Sequence, residues 1–341
     1  MAYEVTIGIP VYNVEKYIRQ TLDSALAQSY ESIEFLICDD CGTDSSIDIV
    51  REYQKTHPRG KDIFIVRQPY NMGIGEARNR MMYEAHGKYF YSLDADDMIS
   101  SNAINCLYTA AKKYNAQLVY GSYERIFVNG NQKRSVQYPY PFRVFTEHDE
   151  YANYAYTTGV QVMNWNYLIE LDVIRRNGLR VTPVGHGYGE DYTYTVDLPT
   201  YVTRVVLLPD ITYQYYIEEK IYDGKRRKKM SREQMDKALI AIDQKKHRTE
   251  LKDRPYYARR CAKLLMYDFY FACEILSRRN EVYPRYSNSE IRQIMWHPMT
   301  LREIICSRQV MLSNLSAWVA GKLPPFFSVL YLRIAKFIRK Y

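Results

Sequence analysis

The stretch Tyr91-Ser92-Leu93-Asp94-Ala95-Asp96-Asp97 sets three carboxylates directly behind an apolar, strand-like run, with no basic residue among them. Their mutual repulsion raises the free energy of the cluster unless hydrogen-bond donors or a divalent cation sit between the acids. A hard cation that also holds phosphate oxygens suits such a group; an acidic turn solvated at a strand end is the plain alternative. A second acidic pair, Glu190-Asp191, follows Gly187-Tyr188-Gly189, where glycines let the backbone approach a ligand closely. A basic run, Lys225 to Lys229, either folds over a diphosphate or is simply solvated charge or a lipid contact.

Elements must carry these acids to one place. Residues 5 to 125 alternate short apolar runs with segments of helical period, the pattern of β-α-β units around a mainly parallel sheet. Strands are expected over Val5–Ile9 (halted by Pro10), Ile33–Cys38, Ile63–Val66, Tyr89–Leu93 and Leu118–Tyr123. Helices are expected over Val14–Ala27, Ser45–Tyr53, Gly75–Ala85 and Ala103–Lys113. Pro10, Asp39, Gly73 and Asp94 then fall at or near the carboxyl ends of strands, the edge at which open α/β sheets bind ligands. From Val128 to Tyr156 the pattern loosens. Residues 232 to 276 read as helical, and Pro324-Pro325 set off an amphipathic tail to Tyr341. Phe327, Leu330, Tyr331, Ile334, Phe337 and Ile338 share one side of that tail, and Arg333, Lys336 and Lys340 the other. Such a helix fits an anionic lipid interface or docks on protein, and both readings stand.

The 341 residues suffice for one large domain with an extension or for two, and a net charge of +8 favours anionic partners. Six scattered cysteines, without a signal peptide or a membrane-spanning run, fit a cytoplasmic protein, peripheral at the inner face of a membrane if the tail binds lipid. Cys38 and Cys41 have C-x-x-C spacing but no second pair, so neither zinc nor redox work is expected of them. Thirty-five tyrosines suit surfaces that stack on sugars or line membranes, although most tyrosines pack at the edge of a core. Trp165 is either an acceptor platform or a core indole. Nucleic-acid binding has only the net charge in its favour.

Five ordered blocks resemble the inverting family 2 glycosyltransferases: Ile7-Gly8-Ile9-Pro10-Val11-Tyr12-Asn13, Ile37-Cys38-Asp39-Asp40, Asn71-Met72-Gly73 with Ala77-Arg78-Asn79, Leu93 to Asp97, and Gly189-Glu190-Asp191. The resemblance covers residues 3 to 216. It implies a GT-A-type α/β fold, a mainly parallel sheet flanked by helices, in a catalytic domain over 1–224; the helical patterning beyond it gives a mostly helical C-terminal region over 225–341. One departure is visible. The family commonly continues its second block as Asp-Asp-Gly-Ser, whereas here Cys41 precedes Gly42, displacing the glycine by one position.

The resemblance implies a nucleotide-sugar site of Pro10, Tyr12, Asn13, Asp40, Arg78, Asp94 and Asp96. The Tyr12 ring would stack on a base, and Asp40 would accept from uracil or ribose. Arg78, in the first helical turn, would attract a base carbonyl or the diphosphate, unless it pairs with the acidic cluster instead. It further implies that Asp96 and Asp97 hold a manganese or magnesium ion, that Asp191 is the general base and that Glu190 lies on the acceptor side. The expected reaction moves a sugar from a nucleotide diphosphate donor, expected to be a UDP-sugar, to a hydroxyl of a glycan or lipid-linked acceptor. Nucleotidyl transfer would call for a glycine- and arginine-rich loop after the first strand, where Pro10-Val11-Tyr12-Asn13 stands. A catalytically silent glycan-binding or membrane scaffold would lack acids that are all present.

Overall fold

The computed structural model describes residues 3–147, 149–159, 163–182, 190–218, 231–277, 284–297 and 318–338. They fall into two compact units: Met1–Tyr151 with Met163–Arg227, and Ala152–Val162 with Lys228–Tyr341.

The first unit is built on a sheet of ten strands. These are β1 (Val5–Val11), β2 (Ile33–Asp39), β3 (Ile63–Arg67), β4 (Tyr89–Ser92), β5 (Met98–Ile99), β6 (Leu118–Asn129), β7 (Gln132–Tyr138), β8 (Arg143–Phe145), β9 (Tyr167–Glu170) and β10 (Val205–Glu218), and the path runs β3-β2-β1-β4-β9-β6-β10-β5, with β7 on β6 and β8 on β10. The half from β3 to β4 is parallel. Beyond β4 the sheet is mixed, because β9 runs antiparallel to both its neighbours and β10 receives β5 and β8 antiparallel. Every residue of β1 and β2 is buried, as expected of strands covered by helices on both faces. Helices α1 (Ile18–Leu26), α2 (Ser46–Thr56), α3 (Ile74–Glu84) and α4 (Ala103–Lys113) supply the cover, with Ile18, Leu22, Ala25, Ile104, Leu107 and Ala111 in the core. Shorter helices α5 (Glu150–Tyr154), α6 (Leu171–Arg176) and α7 (Glu190–Thr195) follow.

Pro10 does not halt the first strand, which runs on to Val11. Along β1 the even residues bond toward β4, as the Gly8 carbonyl does to the Leu93 N–H, and the odd ones toward β2, as Val11 does to Asp40. The β4 ladder ends at Gly8, so the N–H that Pro10 lacks has no ladder partner to lose. The loosened stretch after Val128 is partly a hairpin: β6 and β7 pair around Gly130, whose φ of +59° a glycine adopts without strain.

The second unit contains α8 (Arg232–Lys246), α9 (Tyr257–Ser277), α10 (Asn288–Met295) and, from Pro325 to Ile338, α11. The expected single helical span is thus broken, and Pro255 stands in the break because it cannot continue a helix interior. A capping box starts α10: the Ser287 hydroxyl accepts from the Glu290 N–H while the Glu290 carboxylate accepts from the Ser287 N–H. The tail helix α11 packs Ser328, Val329 and Leu332 inward, and it keeps Phe327, Leu330 and Ile334 exposed. Lys225–Lys229, Gly187–Gly189 and the last three residues of the tail lie outside the described residues, as do the side chains of Lys336, Phe337 and Ile338.

Candidate active site

Strand ends in the parallel half deliver the first group of residues. β1 releases Tyr12 and Asn13, β2 releases Asp40, and β4 leads into Asp94, Asp96 and Asp97. Tyr12 is 45 % exposed, so its ring is free of the core, while Pro10 is buried. Asn13 takes a left-handed φ of +53°, and its Oδ1 accepts from the Thr43 N–H at 2.7 Å, which closes the loop after β2 against the loop after β1. In that β2 loop Cys41, not Gly42, occupies the left-handed region at φ +60°. Its backbone is held by the Asp39 carboxylate, which accepts from the Cys41 N–H at 2.9 Å, and its thiol donates to the Gln68 carbonyl. The displaced glycine therefore has a structural consequence: a side chain stands where glycine ordinarily relieves strain.

Asp40 is buried, and its two oxygens accept from the N–H groups of Met72 and Gly73 at 2.8 and 2.9 Å. The expected contact with a nucleoside thus finds a carboxylate already occupied in fixing the start of α3. Gly73, at φ +87°, is the N-terminal cap of α3 and needs the freedom of glycine for that conformation. Since α3 begins at Ile74, Arg78 lies in its second turn rather than its first, and the helix buries it. Arg78 Nη2 donates to Asp94 Oδ1 at 2.7 Å, and Nη1 to Asp191 Oδ1 at 3.2 Å across 113 positions of chain. Burial opposes its charge, but Asp94 and then Asp191 outweigh burial and keep the guanidinium firmly protonated. Arg78 is thus paired with the acidic cluster, the alternative its position in sequence left open. Next to it, Asn79 makes a reciprocal pair with the backbone of Val181, both bonds 2.8 Å, and so fixes the chain that leads toward Asp191.

The three acids of the D-A-D-D run part company. Asp96 is exposed but crowded by protein, and burial together with the neighbouring Asp94 pushes its carboxyl up to about 6. Asp97 is fully buried. Its Oδ2 accepts from the Tyr213 hydroxyl at 2.7 Å and its Oδ1 from the Tyr216 N–H at 2.8 Å, so it bolts the acidic loop to β10. Burial, then Asp96 and Asp94, push the Asp97 carboxyl well above the usual carboxylate range. The side chain expected to hold a cation turns into the protein, where two donors of β10 meet it. The Tyr213 hydroxyl also accepts from the Asp94 N–H at 3.3 Å, and Thr21 of α1 donates to the Ala95 carbonyl at 2.9 Å, so the loop is held from both sides.

Trp165 is buried and stacks on Tyr213 with ring centroids 4.3 Å apart and planes 9° from parallel. It is a core indole that steadies the Tyr213 clamp, not a sugar platform. Sequence reasoning missed Tyr213, and only its place in the tyrosine-rich run Tyr213-Gln214-Tyr215-Tyr216 marked it. It also missed Glu218, whose carboxylate accepts from the Tyr17 hydroxyl at 2.6 Å; that bond, more than burial, pushes the phenol up to about 12, and the charge of Asp96 adds to the shift.

Glu190 and Asp191 open α7. Glu190 is buried, whereas the Asp191 side chain is 43 % exposed. Crowding by protein raises the Asp191 carboxyl, Arg78 pulls it back down and Asp94 raises it again. A carboxylate so placed, partly open to solvent and held by a guanidinium, can accept a proton.

No cluster of three His, Cys, Asp or Glu side chains stands ready for a metal among the described residues. A magnesium-type cation needs only one or two protein carboxylates when substrate phosphates complete its shell. Asp96, exposed and with its charge uncompensated by a bonded cation among the described residues, fits that requirement, and Asp94 lies close enough to shift it.

Residues 6–171 match glycosyl transferase family 2. This segment is similar to a family 2 glycosyl transferase domain. The chain is 35 % identical over 120 residues to the glycosyltransferase GlyA of Streptococcus pneumoniae serotype 4 and 38 % identical over 128 residues to chondroitin synthase of Escherichia coli. Those matches cover 35 and 37 % of this chain but only 17 and 18 % of the two relatives, so the chain spans under a fifth of their length. In fold it is similar to S. aureus TarS 1–349 in complex with UDP-GlcNAc, with a TM-score of 0.56 at 19 % identity over 93 % of this chain and 81 % of that one. The matched segment carries the acidic run and Arg78 within it, and Asp191 lies beyond its end.

Proposed function

We propose that the chain is an inverting, cation-dependent glycosyltransferase that moves a sugar from a UDP-sugar to a hydroxyl of a glycan acceptor. The observation that carries this reading is the meeting of Asp94 and Asp191 on one buried arginine, which joins the acidic run to the pair expected to serve the acceptor. Asp191 accepts the proton of the incoming hydroxyl as its oxygen bonds to the anomeric carbon from the face opposite the nucleotide. The bond from that carbon to the diphosphate breaks as the new one forms, and the diphosphate leaves with the electron pair. Arg78 holds Asp191 at a fixed place during this exchange, and Asp96 with Asp94 are the residues that would hold manganese or magnesium. When bound, such an ion supplies charge neutralisation to the departing diphosphate. Tyr12, exposed just beyond the end of β1, would cover the base. The substrate classes draw support from the likeness to a chondroitin synthase, for a glycan product, and to TarS in complex with UDP-GlcNAc, for a UDP-sugar donor.

Asp191→Asn is expected to lower transfer by roughly 10²–10⁴-fold while calorimetry with UDP and manganese finds nearly unchanged donor affinity. Proton NMR of the wild-type product is expected to show an anomeric configuration opposite to the donor's. Lost donor binding in the variant, or a retained configuration, would refute the roles assigned.

A further inference from the structure

The tail helix α11 has two apolar sides. Ser328, Val329 and Leu332 are buried, and the helix packs through that side on α9 and α10. Phe326, Phe327, Leu330 and Ile334, exposed by 64, 56, 43 and 52 %, fall within about 100° of arc on the other side. Four large apolar residues on one face of a docked helix form a contiguous ridge of the kind that marks an interaction surface. Arg333 is exposed beside the ridge.

Charge selects the partner. Lys228–Tyr341 hold 23 lysines and arginines against 10 aspartates and glutamates, a net +13, so the rest of the chain is net −5 although the whole is +8. The last nine residues hold Arg333, Lys336, Arg339 and Lys340 and no acid. A second copy docked through the same ridge would bring two such cationic units face to face. An anionic surface instead complements that net positive charge. No helix among the described residues is long and apolar enough to cross a membrane, so the fitting geometry is a helix lying in the plane of the interface.

We propose that α11 seats the second unit on an anionic lipid bilayer, with Phe326, Phe327, Leu330 and Ile334 in the acyl boundary and Arg333 among the headgroups. The four apolar side chains supply the insertion and the basic surroundings the attraction. Neither alone suffices for stable attachment, which is why both occur on one element.

Flotation of the full chain with vesicles tests this, and its readout does not depend on sugar transfer, so failure leaves the proposed reaction standing. Vesicles of phosphatidylcholine with phosphatidylglycerol, roughly 2:1, are expected to carry the protein up the gradient, whereas phosphatidylcholine alone is not, and raised salt is expected to release it. The surface double variant Phe327→Gln, Leu330→Gln is expected to weaken partitioning roughly tenfold or more, with unfolding midpoint and UDP affinity unchanged. Arg333→Gln is expected to weaken it less and to reduce the salt dependence. Three outcomes overturn the proposal: no binding to the anionic vesicles, equal binding by the double variant, or self-association of the wild type in sedimentation that the double variant abolishes.

Discussion

A carboxylate's place decides its work, and Asp96 and Asp97, adjacent in sequence, show how far two such places differ. Asp97 meets two donors inside the protein, whereas Asp96 is exposed beside its fellow acids. Because the Asp96 carboxyl is pushed up to about 6 from an ordinary 3.8, it is protonated over much of the mildly acidic range. Only the ionised form holds a hard cation. Manganese-dependent UDP binding is therefore expected to weaken as pH falls below about 6, approaching tenfold per unit, and to level off above 7. Calorimetric titrations at several pH values measure this, and affinity that is constant between pH 5 and 7 would remove Asp96 from the cation site. A similar contrast governs Cys41, whose side chain sits in a backbone conformation that glycine adopts freely. The one-residue displacement of glycine was readable in the sequence; that the loop keeps its shape regardless, through Asp39 and Gln68, was not.

Among the elements, β10 carries more of the site than its strand pattern suggests. Its Tyr213 hydroxyl donates to Asp97 and accepts from the Asp94 backbone, and Trp165 backs the ring. Tyr213→Phe leaves a buried carboxylate oxygen without its donor, which costs about 1–3 kcal/mol. Denaturant unfolding is expected to report that loss, and the freed acidic loop to weaken cation-dependent UDP binding. A variant as stable as the wild type would dismiss the clamp. The strands and helices from β1 to β4 were legible because each is a single apolar run or stripe bounded by turn residues. The Asn129-Gly130 hairpin signal was there to be read but was lost among mixed polar and aromatic neighbours. The Tyr213 clamp had no such signal, since it joins residues 116 positions apart and depends on how β10 lies beside β6 and β5. Likewise the resemblance put Arg78 and Asp191 in one site, but that they bond to each other is a fact of α3 packing.

At the scale of the whole molecule, the second unit holds its own buried charges, and these set a pH response separate from that of the site. Lys246, almost fully buried, donates to the Ile294 and Trp296 carbonyls and lies 3.1 Å from the Asp268 carboxylate. Burial pushes the Asp268 carboxyl up to about 7; Lys246 opposes the shift and Asp243 reinforces it. Burial, helped by Lys246 and Arg260, pulls the His297 imidazole down to about 3. The two groups act in opposite senses. Asp268 binds a proton more tightly folded than unfolded, so its contribution is full below about 3.8 and is lost as pH rises toward 7. His297 binds one less tightly when folded, so its contribution is full above 6.5 and is lost as pH falls toward 3. Across pH 4 to 6.5 the two slopes, each at most about 1.4 kcal/mol per unit, offset each other. The hydrogen-exchange protection of α9 is accordingly expected to change little with pH over that window in the wild type. Asp268→Asn should make protection fall toward acid, and His297→Phe should make it fall toward neutrality. If both variants kept the flat profile, or sloped the same way, the buried pair would not govern the stability of this unit.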